Sequence, residues 1–401
     1  MADTVIIHSS EICLKGGNRR LFEDRLMNNI RDRLAGLDDG KLRLRQGSFV
    51  LRLERPLNNA LKTDLARRLK TVFGISHFLF AARCGASMEE IEKTAAEVMG
   101  SLAGASFKVE SRRGDKSFPV KSPEISRAVG ASVLKLLPDR RVDVHAPGLT
   151  LEVEVHRDEA YAGAERVAGW GGLPVGTAGK VVSLLSGGID SPVATWKTMR
   201  RGCQAVFVHF HSYPYVGRQS IDKVERLTRI LGDYQGPTTL YLVPLADAQR
   251  LITDRCDPSL RIILYRRLMI RVAELAARAE KALGIVTGDS IGQVASQTLE
   301  NLAVVSAAAT LPVYRPLIGD NKEDISDWAK KIGTYAISIE PHDDCCSLFQ
   351  PPRPATRATL AAVAKAESAY DPAGSAAAAW AKTEKIAVTG RTWDVDTAVT
   401  A

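Results

Sequence analysis

The stretch LLSGGIDSPVA, residues 184–194, decides the fold of the C-terminal half of the chain. It overlaps an apolar run at 180–185 that predicts a strand, and Ser191 can cap the helix that follows. In such a loop the backbone N–H groups and the helix N-terminus converge, and they bind an anion without any lysine. Gly187 and Gly188 let the backbone approach a phosphate closely, although an ordinary tight turn between a strand and a helix also favours glycine.

The segments after this loop alternate between strand and helix. The strands are nearly continuous apolar runs, which predicts a parallel sheet covered by helices on both faces. Ligands of such sheets bind at the carboxyl ends of the strands, where this loop begins. The alanine-rich tail beyond about residue 365 shows no clear pattern. The predicted strands are 180–185, 204–210, 238–245 and 282–288, and the predicted helices are 192–201, 218–232 and 258–280.

The front of the chain has a mixed α+β pattern. One small unit ends near Pro56 and a second unit follows it. In the second unit Ser122 is predicted as the N-cap and Pro123 as the first residue of a helix. Residues 149–156 alternate strictly and predict a strand, and the glycine-rich run 163–179 predicts a linker. Further predicted elements are strands at 4–9, 75–84 and 106–113 and helices at 18–35, 59–72 and 88–100.

Composition and charge narrow the class of protein. The 401 residues, with 45% hydrophobic and 25% charged residues, predict a soluble globular chain of two or three domains. No apolar run reaches the about eighteen residues of a membrane span, and the N-terminus lacks a secretory signal, so we expect a cytoplasmic protein. The net charge is +8. Pairs of adjacent arginines lie before residue 184, and they favour binding of an anionic polymer because each neutralised phosphate releases counterions. A role in solubility alone would also explain these arginines.

The loop matches a specific phosphate-binding pattern. The residues Ser186-Gly187-Gly188-Ile189-Asp190-Ser191 read S-G-G-x-D-S. This is neither the P-loop nor the dinucleotide-binding pattern. It resembles the loop of the PP-loop ATP pyrophosphatases. The resemblance implies cleavage of ATP between the α- and β-phosphates, with AMP left on the substrate as an activating group, and it implies that Asp190 helps to hold magnesium-bound pyrophosphate.

Other stretches narrow the substrate. EICLKGGNRRLFE (11–23), TGDSIGQVASQTLENL (287–302), RPLIGDNK (315–322) and DDCCSLF (343–349) resemble the tRNA 4-thiouridine synthetases, also called tRNA sulfurtransferases. Residues 107–130 resemble a THUMP domain, an RNA-binding module. The five stretches occur in the order that the family has. The implied α/β multidomain fold has a ferredoxin-like α+β domain at 1–58, a THUMP α+β domain at 59–167, a linker at 168–179 and a PP-loop domain with a parallel sheet at 180–401.

The resemblance implies a reaction and its participants. The N-terminal domains would grip the tRNA acceptor region, and the PP-loop domain would use ATP and Mg²⁺ to adenylate the 4-carbonyl oxygen of uridine 8. A persulfide sulfur, supplied by a cysteine desulfurase, would then displace AMP to give 4-thiouridine. The sequence leaves the oligomeric state open, with a homodimer as one candidate. No membrane partner and no structural metal site are expected.

The resemblance also assigns residues to these roles. The implied catalytic residues are Cys346, Asp190 and Lys322. The implied nucleotide-binding residues are Leu184, Leu185, Ser186, Gly187, Gly188, Ser191, His209, Phe210, Arg266, Gly288 and Gln297. The implied RNA-binding residues are Lys108, Arg112, Arg113 and Lys116.

Local chemistry offers a second explanation for two of these residues. Lys322 can be a solvated lysine in the first turn of a helix, since Asp320 and Glu323 can form a capping box around it. His209 can simply lie on the buried side of a strand end, with His211 on the exposed side. No third ligand lies near these two histidines in the sequence, so they do not predict a metal site.

The cysteines divide into two groups. Cys345 and Cys346 follow the acidic pair 343–344, which would raise a thiol pKa, and Arg353 and Arg357 could oppose that effect. Alignment of Cys-Ser-Leu-Phe to the family motif places the persulfide on Cys346. The others are expected to be packing residues: Cys13, Cys84, Cys203 and Cys256.

The C-terminal part of the sequence departs from that of some family members. Some family members add a C-terminal rhodanese-like domain, which the residues after 360 have no room and no cysteine to form. The family's role in thiamine thiazole synthesis has been tied to that domain, so the resemblance leaves this role open.

Two alternative functions are also open. The first is a PP-loop enzyme that amidates a small metabolite and needs neither a cysteine nor RNA. The second is a non-catalytic RNA-binding protein.

Overall fold

A computed structural model describes residues 2–37, 40–55, 57–341, 345, 349 and 351–389. The chain divides into two compact units, unit 1 at residues 1–177 and unit 2 at residues 178–401. The boundary falls inside the glycine-rich segment that was predicted as a linker. None of the helices in the described part of the chain is long and apolar enough to cross a membrane.

Unit 1 is built on one eight-stranded sheet with the strand order β2-β3-β1-β4-β8-β7-β5-β6. The strands are β1 Thr4–His8, β2 Lys41–Arg45, β3 Ser48–Arg52, β4 His77–Gly85, β5 Ser106–Arg113, β6 Arg141–Val142, β7 Leu149–Val155 and β8 Glu159–Ala168. The helices are α1 Arg19–Leu34, α2 Asn59–Lys70, α3 Met88–Gly100 and α4 Ser122–Leu136. These elements give the α+β class that the front of the sequence predicts.

The sheet of unit 1 carries two hydrophobic cores. The first forms where α1 and α2 pack on β1, β3 and β4, and Leu65 and Leu69 of α2 are fully buried in it. The second forms where α3 and α4 pack on β5, β7 and β8, around Phe107 and Val153. Helix α2 therefore belongs to the first core, which extends beyond the boundary at residue 58 expected above.

Two local predictions in unit 1 were wrong. Helix α4 begins at Ser122, so its N-cap is Lys121, whose backbone N–H donates to the Glu124 carboxylate at 3.0 Å. The first part of the glycine-rich run at 163–179 is not a linker, because β8 extends to Ala168. Glycine is required at position 163 for a packing reason, since a Cβ there would lie 2.3 Å from a backbone oxygen of β4.

Unit 2 is built on a six-stranded sheet with the order β13-β12-β9-β10-β11-β14. The strands are β9 Lys180–Leu184, β10 Gln204–His211, β11 Thr238–Pro244, β12 Ile285–Val286, β13 Val313–Tyr314 and β14 Glu384–Val388. The helices are α5 Asp190–Met199, α6 Gln219–Gln235, α7 Ala246–Arg255, α8 Arg261–Glu280, α9 Leu299–Ser306, α10 Lys322–Ile332, α11 Tyr335–Ser338, α12 Leu360–Glu367 and α13 Pro372–Ala381. All pairings are parallel except that of β14 with β11.

Helices cover both faces of this sheet, as the alternating pattern predicts. Helix α5 contacts α6 and α10, whereas α8 contacts α7, α9 and α13. Trp196 of α5 is fully buried in the first of these layers. The alanine-rich tail forms α13 and the edge strand β14, neither of which was predicted because the tail shows no clear pattern. The parallel order brings the carboxyl ends of β9, β10 and β12 to one edge, where a ligand site is expected.

Candidate active site

The loop between β9 and α5 is closed by its two serines. The backbone N–H of Ser186 donates to Ser191 Oγ at 2.9 Å, and the two hydroxyl oxygens lie 3.1 Å apart. The Gly188 N–H donates to Ser186 Oγ at 3.3 Å. Ser191 is therefore not the helix cap expected above, because the helix already begins at Asp190. Its hydroxyl shapes the loop, and the helix N-terminus at Asp190 favours an anion there.

Asp190 is held by two residues from distant segments. Lys322 Nζ lies 2.6 Å from Asp190 Oδ1, and Gln293 Nε2 donates to Asp190 Oδ2 at 2.8 Å. The S-G-G-x-D-S loop and the two stretches at 287–302 and 315–322 thus meet at one carboxylate. Lys322 was predicted at this site from the sequence, whereas Gln293 was not.

The start of helix α10 explains the position of Lys322. Asn321 is the N-cap, and its side chain accepts from the Asp324 N–H at 2.8 Å. The capping box of Asp320 and Glu323, the alternative explanation for Lys322, does not form, because Asn321 is the N-cap and Asp320 is paired with Lys197 of α5. Lys322, as the first residue of the helix, is left to reach across to Asp190.

A buried acid, Asp289, organises the floor of the site. It is 4% exposed and forms ion pairs with Arg266 and with Arg315, whose Nε lies 3.1 Å away. Thr287 Oγ1 donates to it at 2.8 Å and Gln297 Nε2 at 3.3 Å. Burial acts to raise the pKa of Asp289, but Arg266, Thr287 and Arg315 outweigh it, so the pKa is lowered and the group stays ionised.

The cluster around Asp289 contains residues that were predicted from the sequence and residues that were not. Arg266 and Gln297 were assigned to the nucleotide site by resemblance, and both are oriented by Asp289. Asp289 and Arg315 were missed, although both lie inside the stretches quoted above. An acid directly after a buried strand of a parallel sheet was the signal available in the sequence.

Gly288 is placed where no side chain fits. A Cβ at this position would lie 2.8 Å from the backbone nitrogen of Ser191 and 2.9 Å from its Cα. The loop after β12 therefore packs directly against the first turn of α5. This contact brings Asp289 and Gln293 to the phosphate-type loop, which gives Gly288 a physical role at the predicted site.

The predicted adenine-flanking residues are buried. His209 is 2% exposed, and its Nδ1 lies 2.9 Å from the carbonyl oxygen of Leu185. Phe210 is 6% exposed and belongs to the core below the sheet edge, with Leu184 packed against the same core. Their side chains support the ends of β9 and β10, and their contact with a nucleotide stays a prediction.

Three of the four predicted RNA-binding residues already have partners within unit 1. Lys108 Nζ lies 2.6 Å from a Glu110 carboxylate oxygen. An Arg112 guanidinium nitrogen lies 3.2 Å from Nδ1 of His8, and Arg113 donates to a backbone carbonyl oxygen at 2.8 Å. Lys116 is exposed. Arg112 keeps about half of its side chain exposed, 55%, so it and Lys116 are the better candidates for phosphate contacts.

The cysteines are only partly described. The predicted persulfide carrier Cys346 lies outside the described residues. Cys345 is 5% exposed, and its carbonyl oxygen accepts from Gln249 Nε2 at 2.7 Å. Cys13 is exposed, so its assignment as a packing residue was wrong. Burial raises the pKa of three other thiols, which disfavours the reactive thiolate there: Cys84, Cys203 and Cys256.

The donor atoms at the site fit a nucleotide-bound Mg²⁺. This ion is commonly held by one or two carboxylates together with substrate phosphates. Asp190 supplies one carboxylate at the N-terminus of α5, and its side chain is 19% exposed. We therefore expect Asp190 to hold the ion when a nucleotide is present.

The parallel sheet, the S-G-G-x-D-S loop and the lysine that reaches its aspartate define a PP-loop enzyme. Models of three families match the chain: "Thiamine biosynthesis protein (ThiI)" over residues 176–371, "ThiI ferredoxin-like domain" over 4–78 and "THUMP domain" over 85–163. The predicted fold class is thereby confirmed.

Similar proteins identify the family. A probable tRNA sulfurtransferase of Caldanaerobacter subterraneus is 44% identical over 371 residues, covering 92% of this chain and 96% of the relative. That of Alkaliphilus oremlandii is 41% identical, covering 97% and 100%. A crystal structure of a 4-thiouridine synthetase–RNA complex with bound ATP is 36% identical, with a TM-score of 0.86, covering 97% of this chain and 100% of that one. The chain belongs to the tRNA sulfurtransferase family.

Proposed function

We propose that this protein is an ATP-dependent enzyme that converts uridine 8 of tRNA to 4-thiouridine. The observation that supports this proposal most directly is the contact of Lys322 with Asp190, which joins two stretches of the family pattern that lie 132 residues apart. Membership of the tRNA sulfurtransferase family supports the reaction class. The relative solved with RNA and ATP supports the choice of substrates.

The first proposed step is adenylation. The 4-carbonyl oxygen of the uridine attacks the α-phosphorus of ATP, and pyrophosphate leaves. The loop Ser186–Ser191 and the α5 N-terminus would bind the phosphates through backbone N–H groups. Lys322 would neutralise charge that develops on the phosphates, and Asp190 orients its ammonium group. Mg²⁺, held by Asp190, would supply further charge neutralisation on the leaving pyrophosphate.

The second proposed step is sulfur transfer. The terminal sulfur of a persulfide on Cys346 attacks C4 of the adenylated uridine, and AMP leaves. The S–S bond that links the new C4–S group to Cys346 must then be cleaved by a reductant or a second thiol. A cysteine desulfurase would load the persulfide from cysteine. The raised thiol pKa of Cys84, Cys203 and Cys256 counts against those residues as carriers.

Nucleoside analysis of tRNA from cells that lack this gene tests the proposal. We expect 4-thiouridine at position 8 to be absent, to return with the wild-type gene and to stay absent with the Asp190→Ala gene. Release of AMP from ATP by the purified protein should depend on tRNA. If AMP is released with a small metabolite and ammonia, and not with tRNA, the amidating enzyme replaces this proposal. If neither substrate promotes AMP release, the non-catalytic RNA-binding protein replaces it.

A further inference from the structure

A buried glutamine in unit 2 connects three separate segments of the chain. Gln249 lies in the first turn of α7 and is 0% exposed. Its Oε1 accepts from Ser212 Oγ at 2.7 Å, and its Nε2 donates to the carbonyl oxygen of Cys345 at 2.7 Å. Both polar groups of the amide therefore have partners, which is the condition for burying an amide without a large cost.

These contacts lie at the edge of the sheet that carries the candidate active site. Ser212 directly follows β10, and α7 begins shortly after the carboxyl end of β11. Strand β10 is also bound to the start of the phosphate-type loop, because His209 Nδ1 lies 2.9 Å from the carbonyl oxygen of Leu185. Gln249 therefore holds the backbone of Cys345 at the carboxyl edge of the parallel strands, where ligands of such sheets bind.

Cys345 is held on both its side chain and its backbone. Its side chain is 5% exposed and belongs to the hydrophobic core that includes Ile252 of α7. The carbonyl that Gln249 binds belongs to the peptide bond between Cys345 and Cys346, the predicted persulfide carrier. Because a peptide bond is planar, holding this carbonyl also fixes the plane from which the chain continues.

Gln249 is itself held by its own helix and by α8. Its backbone N–H donates to the carbonyl oxygen of Leu245 at 3.0 Å. Its carbonyl oxygen accepts from Thr253 Oγ1 at 2.8 Å, and that hydroxyl lies 3.0 Å from the hydroxyl of the fully buried Tyr265. A side chain supported in this way by packed helices can position a reacting segment before substrate arrives.

We propose that Gln249 is a positioning residue for the sulfur-transfer step. It holds the backbone of Cys345, next in sequence to the sulfur carrier, so that the carrier acts from a fixed point at the edge of the sheet. Gln249 forms no covalent bond and transfers no proton in this role. The inference rests on the proposed function, because it assigns a residue to the second step of that reaction.

The first test separates the two steps in the full-length protein. Gln249→Met removes both hydrogen bonds and keeps an unbranched side chain of similar length. Pyrophosphate release from ATP in the presence of tRNA, measured without a sulfur donor, should keep its wild-type rate. Single-turnover formation of 4-thiouridine, normalised to the persulfide loaded, should be at least about tenfold slower, because a displacement of about 1 Å can slow a reaction about a hundredfold.

A second glutamine provides the matched control. Gln235, the last residue of α6, binds Ala205 at the amino-terminal end of β10. Its Oε1 accepts from the Ala205 N–H and its Nε2 donates to the Ala205 carbonyl oxygen, both at 2.8 Å. Gln235→Met therefore also loses two hydrogen bonds to the sheet, but at the edge opposite to the candidate site. Both steps should keep their wild-type rates in this variant.

A double-mutant cycle tests whether Ser212 acts through Gln249. Ser212→Ala removes the donor to Gln249 Oε1 and leaves the contact of Nε2 with Cys345, so sulfur transfer should slow less than in Gln249→Met. In the Gln249→Met background the serine substitution should add little further loss, because the side chain that it orients is gone. Fully additive losses would contradict the connection between the two residues.

The outcomes distinguish this inference from the proposed function. If the wild type forms no 4-thiouridine, the proposed function fails and this inference fails with it. If the wild type is active and Gln249→Met transfers sulfur at the wild-type rate, only this inference is overturned. Equal slowing of pyrophosphate release and sulfur transfer in Gln249→Met, or equal slowing of transfer in Gln235→Met, would show that Gln249 only stabilises the fold.

Discussion

Lys322 Nζ lies 2.6 Å from Oδ1 of Asp190, at the N-terminus of α5. The same carboxylate accepts from Gln293 at its second oxygen. A lysine that would otherwise be mobile in solvent is thereby held where the phosphates of a nucleotide are expected. Its ammonium group is oriented before substrate arrives, which is the condition for electrostatic stabilisation of a transition state.

Replacement of Asp190 should abolish thiolation and leave tRNA binding intact. In Asp190→Ala, Lys322 loses its orienting carboxylate, and the proposed Mg²⁺ ligand is gone. The RNA grip is predicted mainly in unit 1, so filter binding should be close to wild type. Asp327→Ala is a matched control, because Asp327 lies on the same helix as Lys322 and its pair with Lys330 is exposed. Equal loss of tRNA affinity in Asp190→Ala would contradict this division of roles.

Gly288→Ala should reduce activity and stability together. The added methyl group would press on the backbone of Ser191 and move the first turn of α5. Overpacking of this kind costs about 1–3 kcal/mol, and the loop geometry changes with it. Thermal unfolding and single-turnover thiolation measure both effects. Gly319→Ala is the control, since a Cβ there meets no atom within 4 Å; a Gly288→Ala protein as active and stable as this control would refute the steric argument.

Charge reversal at Arg112 and Arg113 should weaken tRNA binding and flatten its salt dependence. Each lost phosphate contact reduces the slope of log affinity against log salt by about 0.7–0.9. The Arg113 side chain also donates a hydrogen bond to the backbone carbonyl oxygen of Phe118, so charge reversal at Arg113 should disturb that loop as well. Arg112→Gln and Lys116→Glu, tested singly, separate charge from structure. A slope unchanged in all variants would place the basic RNA-binding face elsewhere.

The two neighbouring cysteines should respond differently to substitution. Cys346→Ser is expected to eliminate 4-thiouridine formation, and Cys345→Ser to retain at least part of it. Cys345 is 5% exposed, which makes it a poor acceptor of sulfur from a desulfurase. A bond between the two would be strained, because adjacent Cα atoms lie about 3.8 Å apart, below the usual disulfide range of about 4.4–6.8 Å. Single-turnover assays decide; a dead Cys345→Ser and an active Cys346→Ser would move the carrier to Cys345.

The stability of the protein should fall between neutral and mildly acidic pH, partly through His77. Burial, with the nearby charges of His8 and Arg166, lowers the pKa of His77 to about 4. The unfolded chain binds a proton near the ordinary value of about 6.5, whereas the folded protein binds it only near 4. The free energy of unfolding therefore decreases as pH falls through this window.

A His77→Gln variant tests this dependence. Urea unfolding at pH 7 and pH 5 should show a smaller loss of stability in the variant than in wild type, because glutamine does not titrate. The change in stability between the two pH values is compared, rather than the stability at either one, because the substitution also removes the ring stack with His8. An identical pH dependence in the two proteins would show that His77 does not contribute.

The sequence by itself determined the class of each unit and the location of the main site. Apolar strands that alternate with helices predict the parallel sheet of unit 2, and S-G-G-x-D-S marks the carboxyl end of β9. These signals are local. The periodicity of a segment indicates which of its faces is buried, and the glycines of a loop indicate the backbone conformation of that loop. They could not show that Ser191 closes the loop, or that the tail contributes β14.

The tertiary structure decided which charged atoms meet. Asp289 gathers Arg266 and Arg315, and Lys322 reaches Asp190, through segments that are separated by up to 132 residues. In the same packing Asp320 forms an ion pair with Lys197 and not with Lys322, so Lys322 contacts the site instead. Such partners are chosen by the distances that the packed sheet and helices impose, together with the cost of leaving a buried charge without a partner. Neither quantity can be read from sequence spacing.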